Sequence, residues 1–143
     1  MKNLVLVRID ERLIHGQVMT QWCRIRHFNT IMIVDDATAN DAFLKQVCVM
    51  AVPKDFVPLC QTADEAAAYL LGDSDKEEIL LLVKTPDTVE RLVEKGVEIK
   101  ELNAGGMGMR PGRVKLCRDI AATPAEQEVF KRLIAKGINV FVQ

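Results

Sequence analysis

Short apolar runs rich in Val, Leu and Ile recur along the chain at Asn3–Ile9, Thr30–Val34, 57–60, 79–83 and 140–142. Runs of this length with little polar alternation predict strands buried on both faces. Between them, apolar positions fall at helical spacing in 17–26, 41–51, 63–71, 88–95 and 124–136. Thr62 with Glu65, Thr85-Pro86-Asp87 and Thr123-Pro124 supply start signals, a capping hydroxyl or a proline at the first helical position. Gly72, Gly96 and Gly137 follow the helical pattern and fit helix C-terminal positions. Strands alternating with helices predict an α/β fold, an open and mostly parallel central sheet with helices on both faces.

No Ser-, Gly- or Pro-rich linker and no internal repeat interrupts this pattern, so residues 1–143 are expected to form a single domain. The one unusual segment is NAGGMGMRPGR at 103–113, which holds four of the eight glycines and two arginines and is predicted to be a loop. Apolar residues make up 49% and charged residues 27%, a globular balance that excludes disordered and collagen-like classes. Nineteen Lys and Arg against twenty Asp and Glu remove the general electrostatic case for a nucleic-acid partner. Cys23, Cys48, Cys60 and Cys117 have neither C-x-x-C spacing nor a neighbouring histidine, so buried reduced thiols are expected rather than zinc or a disulfide. The apolar start is too short for a signal peptide or a membrane span, and a cytoplasmic protein is expected.

In an open parallel sheet, ligands bind beyond the carboxyl ends of the strands where strand order reverses, and the first strand usually borders that point. The loop after the first run reads Asp10-Glu11-Arg12-Leu13-Ile14-His15-Gly16-Gln17. A neutral imidazole is a good nucleophile near pH 7, Arg12 offers paired donors to phosphoryl oxygens, and helix-start amides after Gly16 can face an anion. These residue types together suit phosphoryl transfer through His15. Asp10 either orients Arg12 or the imidazole, or simply ends the strand and bonds turn amides. Gln17 has a helix-capping alternative. Asp35-Asp36 read as caps and surface charges rather than a magnesium site, and no metal is assigned. His27, beside Arg24 and Arg26, reads as a solvated residue at a helix end.

The segment VRIDERLIHGQVMTQW, with its order of acid, arginine and histidine and the following Trp22, resembles the opening of IIB components of the mannose/fructose/sorbose and N-acetylgalactosamine family of the bacterial phosphotransferase system. The stretch LLLVKTPDTVERLVEKGVEIKELNAGGM at 80–107 resembles it again, while Met109-Arg110-Pro111 departs from the family pattern. The resemblance implies that His15 is phosphorylated by a phospho-IIA partner and that Arg12 contacts the phosphoryl group. The group would pass to a sugar on a membrane IIC/IID transporter, with which the protein associates peripherally. The implied activity is that of a protein-N(π)-phosphohistidine–sugar phosphotransferase without a nucleotide or organic cofactor.

The resemblance also implies that the first strand neighbours the fourth, which would bring Lys84 and Thr85 to the same crevice. Thr85 is then either a phosphoryl donor or an ordinary helix cap. Two partners must reach His15, so its loop is expected to be exposed. Leu13, Ile14 and Met107 would ring it, with Arg110 and Arg113 docking an acidic partner. The alternative is a non-catalytic binding module for a phosphorylated metabolite or nucleotide, although neither a G-x-G-x-x-G nor a P-loop motif is present. Whether copies of the chain associate is left open.

Overall fold

A computed structural model of the chain describes residues 1–13, 27–74, 76–117 and 120–142. The most apolar run, β4 (Glu78–Val83), takes a central place in the sheet because all its residues from Ile79 onward are fully buried. It lies between β1 (Asn3–Ile9) and β2 (Thr30–Val34), and the six-stranded order is β3-β2-β4-β1-β5-β8 with every pairing parallel. The remaining strands of this sheet are β3 (Val57–Gln61), β5 (Glu101–Ala104) and β8 (Asn139–Val142). An antiparallel pair, β6 (Val114–Cys117) and β7 (Ile120–Ala122), stands outside it.

Side chains alternate between two apolar clusters, as a sheet covered on both faces requires. Val7, Ile9, Met32, Val34, Leu81 and Val83 face helices α3 (Ala63–Leu70), α4 (Pro86–Glu94) and α5 (Pro124–Ala135). Leu6, Ile31, Ile33, Leu80 and Leu82 face the other way, towards α1 (Asp36–Asn40), α2 (Ala42–Ala51) and the stacked rings of Phe28 and Phe56. Burying each such Leu or Ile contributes about 1.5–3 kcal/mol, so these two layers hold the sheet.

The expected helix starts are realised at Thr62 and Thr123, each hydrogen-bonded reciprocally with the glutamate three residues on. Gly96 and Gly137 take left-handed φ of +98° and +90° after α4 and α5, the conformation that favours glycine there. The expected helix at 17–26 lies outside the described residues.

Three features depart from the sequence expectation. β5 extends into the segment expected to be a loop and makes Asn103 and Ala104 strand residues. Asp35 and Asp41 cap two short consecutive helices where one was expected. Cys60 is buried and Cys48 partly so, and burial pushes both thiols up, but Cys117 is exposed on β6. All three are free thiols, and Cys23 lies outside the described residues.

Candidate functional site

The chain leaves β1 towards β2 and leaves β5 towards β8, in opposite directions across the sheet, so strand order reverses at the carboxyl ends of β1 and β5. Asp10 occupies that point, fully buried, with its amide donating to the Val83 carbonyl at 2.8 Å. Its Oδ1 accepts from the Arg12 amide at 3.0 Å and from Arg12 Nε at 3.1 Å, and its Oδ2 accepts from Arg12 Nη2 at 3.2 Å. Asp10 therefore both closes the turn and holds the Nε–Nη2 edge of the guanidinium. The pair raises the Arg12 pKa, first through the hydrogen bond and then through the charge of Asp10. With this edge taken and 53% of the side chain exposed, Arg12 keeps its opposite side for an arriving anion.

Leu13 explains why the turn takes this shape. Its φ of +56° is strained for a side chain other than glycine, and its burial against the cluster of Leu6 and Phe28 offsets a cost of about 1–2 kcal/mol. Leu13 faces inward as Arg12 faces outward. The expectation that Leu13 rings an exposed docking surface is therefore corrected: it anchors the turn. Ile14, His15, Gly16 and Gln17 lie outside the described residues.

A second guanidinium reaches Asp10 from below. Arg8, only 6% exposed and one residue before the end of β1, places Nη2 3.5 Å from Asp10 Oδ2 and donates through Nη1 to Asn103 Oδ1 across the β1–β5 register. Gly105 and Gly106 pass directly over these groups. A Cβ at Gly105 would fall 2.6 Å from Arg8 Nη2, and one at Gly106, where φ is +58°, would strike the Asp10 carboxylate. The glycines of NAGGM are thus required by close approach of backbone to a buried ion pair.

Glu11 joins this turn to the glycine-rich loop. Its amide donates to the Gly106 carbonyl at 3.1 Å, and its Oε1 accepts from the Gly108 amide at 2.7 Å. Its carboxylate also pairs with Arg110 and Arg113. Arg113 continues to Glu126 through two hydrogen bonds of 3.1 Å. Burial pushes the Glu126 carboxyl up, but the Thr123 amide and Arg113 outweigh it and hold it below its ordinary value.

Arg113 and Met107 were expected to dock a partner, and both expectations are corrected. The Arg113 side chain is only 5% exposed and is consumed by Glu11, Glu126 and the Gly108 carbonyl. Met107 is fully buried, and its carbonyl accepts from the Ala121 amide. Arg110 alone of the described residues in that set remains on the surface, 64% exposed and paired with Glu11.

β1 and β4 are neighbours as the resemblance implied, so Lys84 and Thr85 follow directly on the strand end that holds Asp10. Lys84 Nζ lies 3.6 Å from Asp35 Oδ2. Thr85 stands at the N-cap of α4, yet its hydroxyl makes no capping bond, so the ordinary cap does not use it. Asp35 caps α1 through the Thr38 amide, and Asp36 accepts from the Ala63 amide at 2.8 Å and from Arg91 at 2.6 Å. Both are structural contacts, and among the described residues no cluster of His, Cys, Asp and Glu could hold a metal ion. His27 is exposed, with Nδ1 2.7 Å from Glu78 Oε2.

Arg8, Asn103 and Glu11 escaped the sequence reading. A positive charge within an apolar strand was the available signal for Arg8, since a strand buried on both faces has no water for it.

The chain is 36% identical over 141 residues to the mannose-specific EIIAB component of Escherichia coli K12, covering 96% of this chain but only 43% of that protein. It is 31% identical over 143 residues to the N-acetylgalactosamine-specific phosphotransferase enzyme IIB component 2 of the same organism, covering 100% of this chain and 91% of that one. Among solved structures, the IIBSor domain of the sorbose permease from Klebsiella pneumoniae superimposes with a TM-score of 0.92 at 30% identity, covering 99% of this chain and 87% of that one. Residues 4–143 match the model of the sorbose subfamily of phosphotransferase-system IIB components, and with the parallel sheet and these relatives in agreement, the chain belongs to that family.

Proposed function

We propose that the protein is a cytoplasmic phosphohistidine relay in sugar uptake, with His15 as the residue that carries the phosphoryl group. In the first step the P–N bond of a phosphohistidine on a IIA partner breaks as a P–N bond to His15 forms. In the second, that bond breaks as a P–O bond forms to a sugar hydroxyl on a membrane IIC/IID transporter, and the hydroxyl proton ends on the His15 imidazole that leaves. Both are in-line displacements in which the protein acts chiefly by positioning and charge stabilisation.

The observation that carries the reading is Arg12, half exposed at the strand-order reversal and held along one edge by buried Asp10, three residues before His15. A guanidinium fixed in this way is oriented before the anion arrives, which is the condition for strong electrostatic stabilisation of a transferring group. The unused Thr85 hydroxyl and Lys84, following the adjacent strand, supply further donors, and Gly16 and Gln17 are proposed to add main-chain and amide donors. Arg110, exposed although paired with Glu11, is the surface cation proposed to meet an acidic partner.

The test is incubation with phosphoenolpyruvate and the general phosphotransferase proteins, with and without a IIA protein, followed by intact and fragment mass. One acid-labile phosphoryl group on His15, dependent on IIA, is expected. His15→Ala should abolish it and His27→Ala should leave it intact. An acid-stable label, or one on His27, overturns the reading.

A further inference from the structure

We propose that α2 presents a docking face for a second copy of this chain, so that two molecules pair side by side about a two-fold axis at Val47. The helix reads AFLKQVCVMA, with one charge in its length, and none of its residues is fully buried. Cys48 and Val49, both half-buried, pack it on the cluster of Ile31 and Ile33. Its outward side exposes Phe43 at 73% and Met50 at 74%, with Leu44 and Val47 between them. A helix this short depends on burying an apolar face, and here most of that face lies in water.

At about 100° per residue, Phe43, Leu44, Val47, Met50 and Ala51 fall within an arc of about 120° centred on Val47. No charged residue of the helix shares that arc. Lys45 lies on the other side, within electrostatic reach of Cys60 and Glu65. A two-fold contact sets each group near its own copy, so a charge-free face meets itself without like-charge repulsion. Antiparallel pairing also opposes the two helix dipoles. With the axis at Val47, Phe43 of one copy meets Met50 of the second copy, a ring against a thioether, and Leu44 meets the smaller Ala51.

The direction of α2 selects a second copy over a transfer partner. The parallel strands β2 and β3 are joined through α1 and α2, so α2 runs back from the carboxyl end of β2 towards the amino end of β3. Phe43 is thus nearest the strand ends that hold the site, and Met50 lies about 10 Å further along the helix. A partner seated over the site would reach only the first turn of this face, whereas a second copy alongside covers its length and leaves the site open. An anionic membrane fits less well, because Lys45 is turned away from the face and Lys54 beyond the helix end is followed by Asp55. A seam about 15 Å long buries less than the roughly 800 Å² per partner typical of stable complexes, so the pair is weak and forms at high concentration.

Sedimentation velocity from about 10 µM to about 1 mM should show the weight-average mass of the chain rising from 16.0 kDa towards twice that value. Val47→Glu places two carboxylates at the axis and should weaken pairing roughly a hundredfold, while its urea melt stays near that of wild type. Val47→Lys alone should do the same, and an equimolar mixture of the two variants should regain association. Wild type that stays at 16.0 kDa throughout, a folded Val47→Glu protein that pairs as wild type does, or a mixture that stays monomeric overturns the proposal. Should Val47→Glu lose its fold, the double variant Phe43→Ser/Met50→Ser replaces it and must stay monomeric over the same range. Transfer from phosphorylated IIA should be unchanged in folded Val47→Glu, and a tenfold slowing would assign the face to the transfer partner and overturn the proposal. Binding of wild type, but not of Val47→Glu, to vesicles of anionic phospholipid would overturn it in favour of a lipid surface. The masses are read without phosphoryl transfer, so failure of the relay reading leaves this proposal standing.

Discussion

Glu11 and Arg113, separated by 102 positions in the chain, meet in an ion pair that ties the turn after β1 to the end of the glycine-rich loop. Arg113 passes the connection on to Glu126 in the first turn of α5. The site is therefore fastened from both sides of the strand-order reversal, at Val83 on β4 and through Glu11 on the loop after β5.

Glu11→Ala removes the acceptor for the Gly108 amide and one carboxylate from buried Arg113. Leaving the buried Arg113 guanidinium one acceptor short costs about 1–3 kcal/mol, and water can replace Glu11 at the exposed Gly108 amide. A urea melt of this variant should show a loss in that range, while Arg110→Ala, whose side chain is exposed, should change stability by less than about 0.5 kcal/mol.

Gly106→Ala should be more damaging than its size suggests. The residue sits at φ +58° and its new methyl group would meet the Asp10 carboxylate. Backbone strain alone amounts to about 1–2 kcal/mol, and displacement of Asp10 should release Arg12. Gly108→Ala, where a Cβ meets open space and φ is not positive, is the matched control and should melt near wild type.

Arg12 is read as a planar clamp, and lysine keeps its charge but not its fork. Arg12→Lys should slow single-turnover transfer from phosphorylated IIA, and Arg12→Ala should slow it further. Loss of a preorganised charge-assisted donor corresponds to about 2–4 kcal/mol, or roughly thirty- to a thousandfold in rate. Wild-type rates in both folded variants would remove Arg12 from the site.

Glu126 makes stability depend on acid. Burial raises its pKa, but the Thr123 amide and Arg113 lower it by more, so the folded value lies below the unfolded one. Its contribution is fully present above the unfolded carboxyl value of about 4.3 and is lost as pH falls through the lower folded value. Glu126→Gln retains a capping-box side chain without the charge. In urea melts from pH 7 to pH 3, wild type should exceed the variant at neutral pH, and the gap should shrink below about pH 4.3.

Sequence alone made the sheet legible because its strands are apolar runs with strong helix signals between them. Asn3–Ile9 and Thr30–Val34 form the strands expected there, and Thr62 and Thr123 cap the helices expected there. β5 was obscured because Glu101 and Asn103 break its apolar pattern, and Asn103 is polar for the sake of Arg8. The β6–β7 pair was missed for a related reason: all four residues of β6 are exposed, so burial imposes no pattern on them. Arg12 and Asp10 could be singled out from their spacing. Leu13, Met107 and Arg113 were misjudged as surface because their burial depends on partners distant in sequence, which local composition does not encode.

The place of β1 between β4 and β5 also sets an order of events during synthesis. β1 leaves the ribosome before either neighbour exists, and at about 5–20 residues per second it waits several seconds for β5. Until β4 emerges Asn3–Ile9 has neither parallel neighbour, and until β5 follows Arg8 and Asp10 have no Asn103, Gly105 or Gly106 to close over them. A nascent chain released before residue 106 would therefore hold the Asp10–Arg12 turn without the glycines that close over its buried charges.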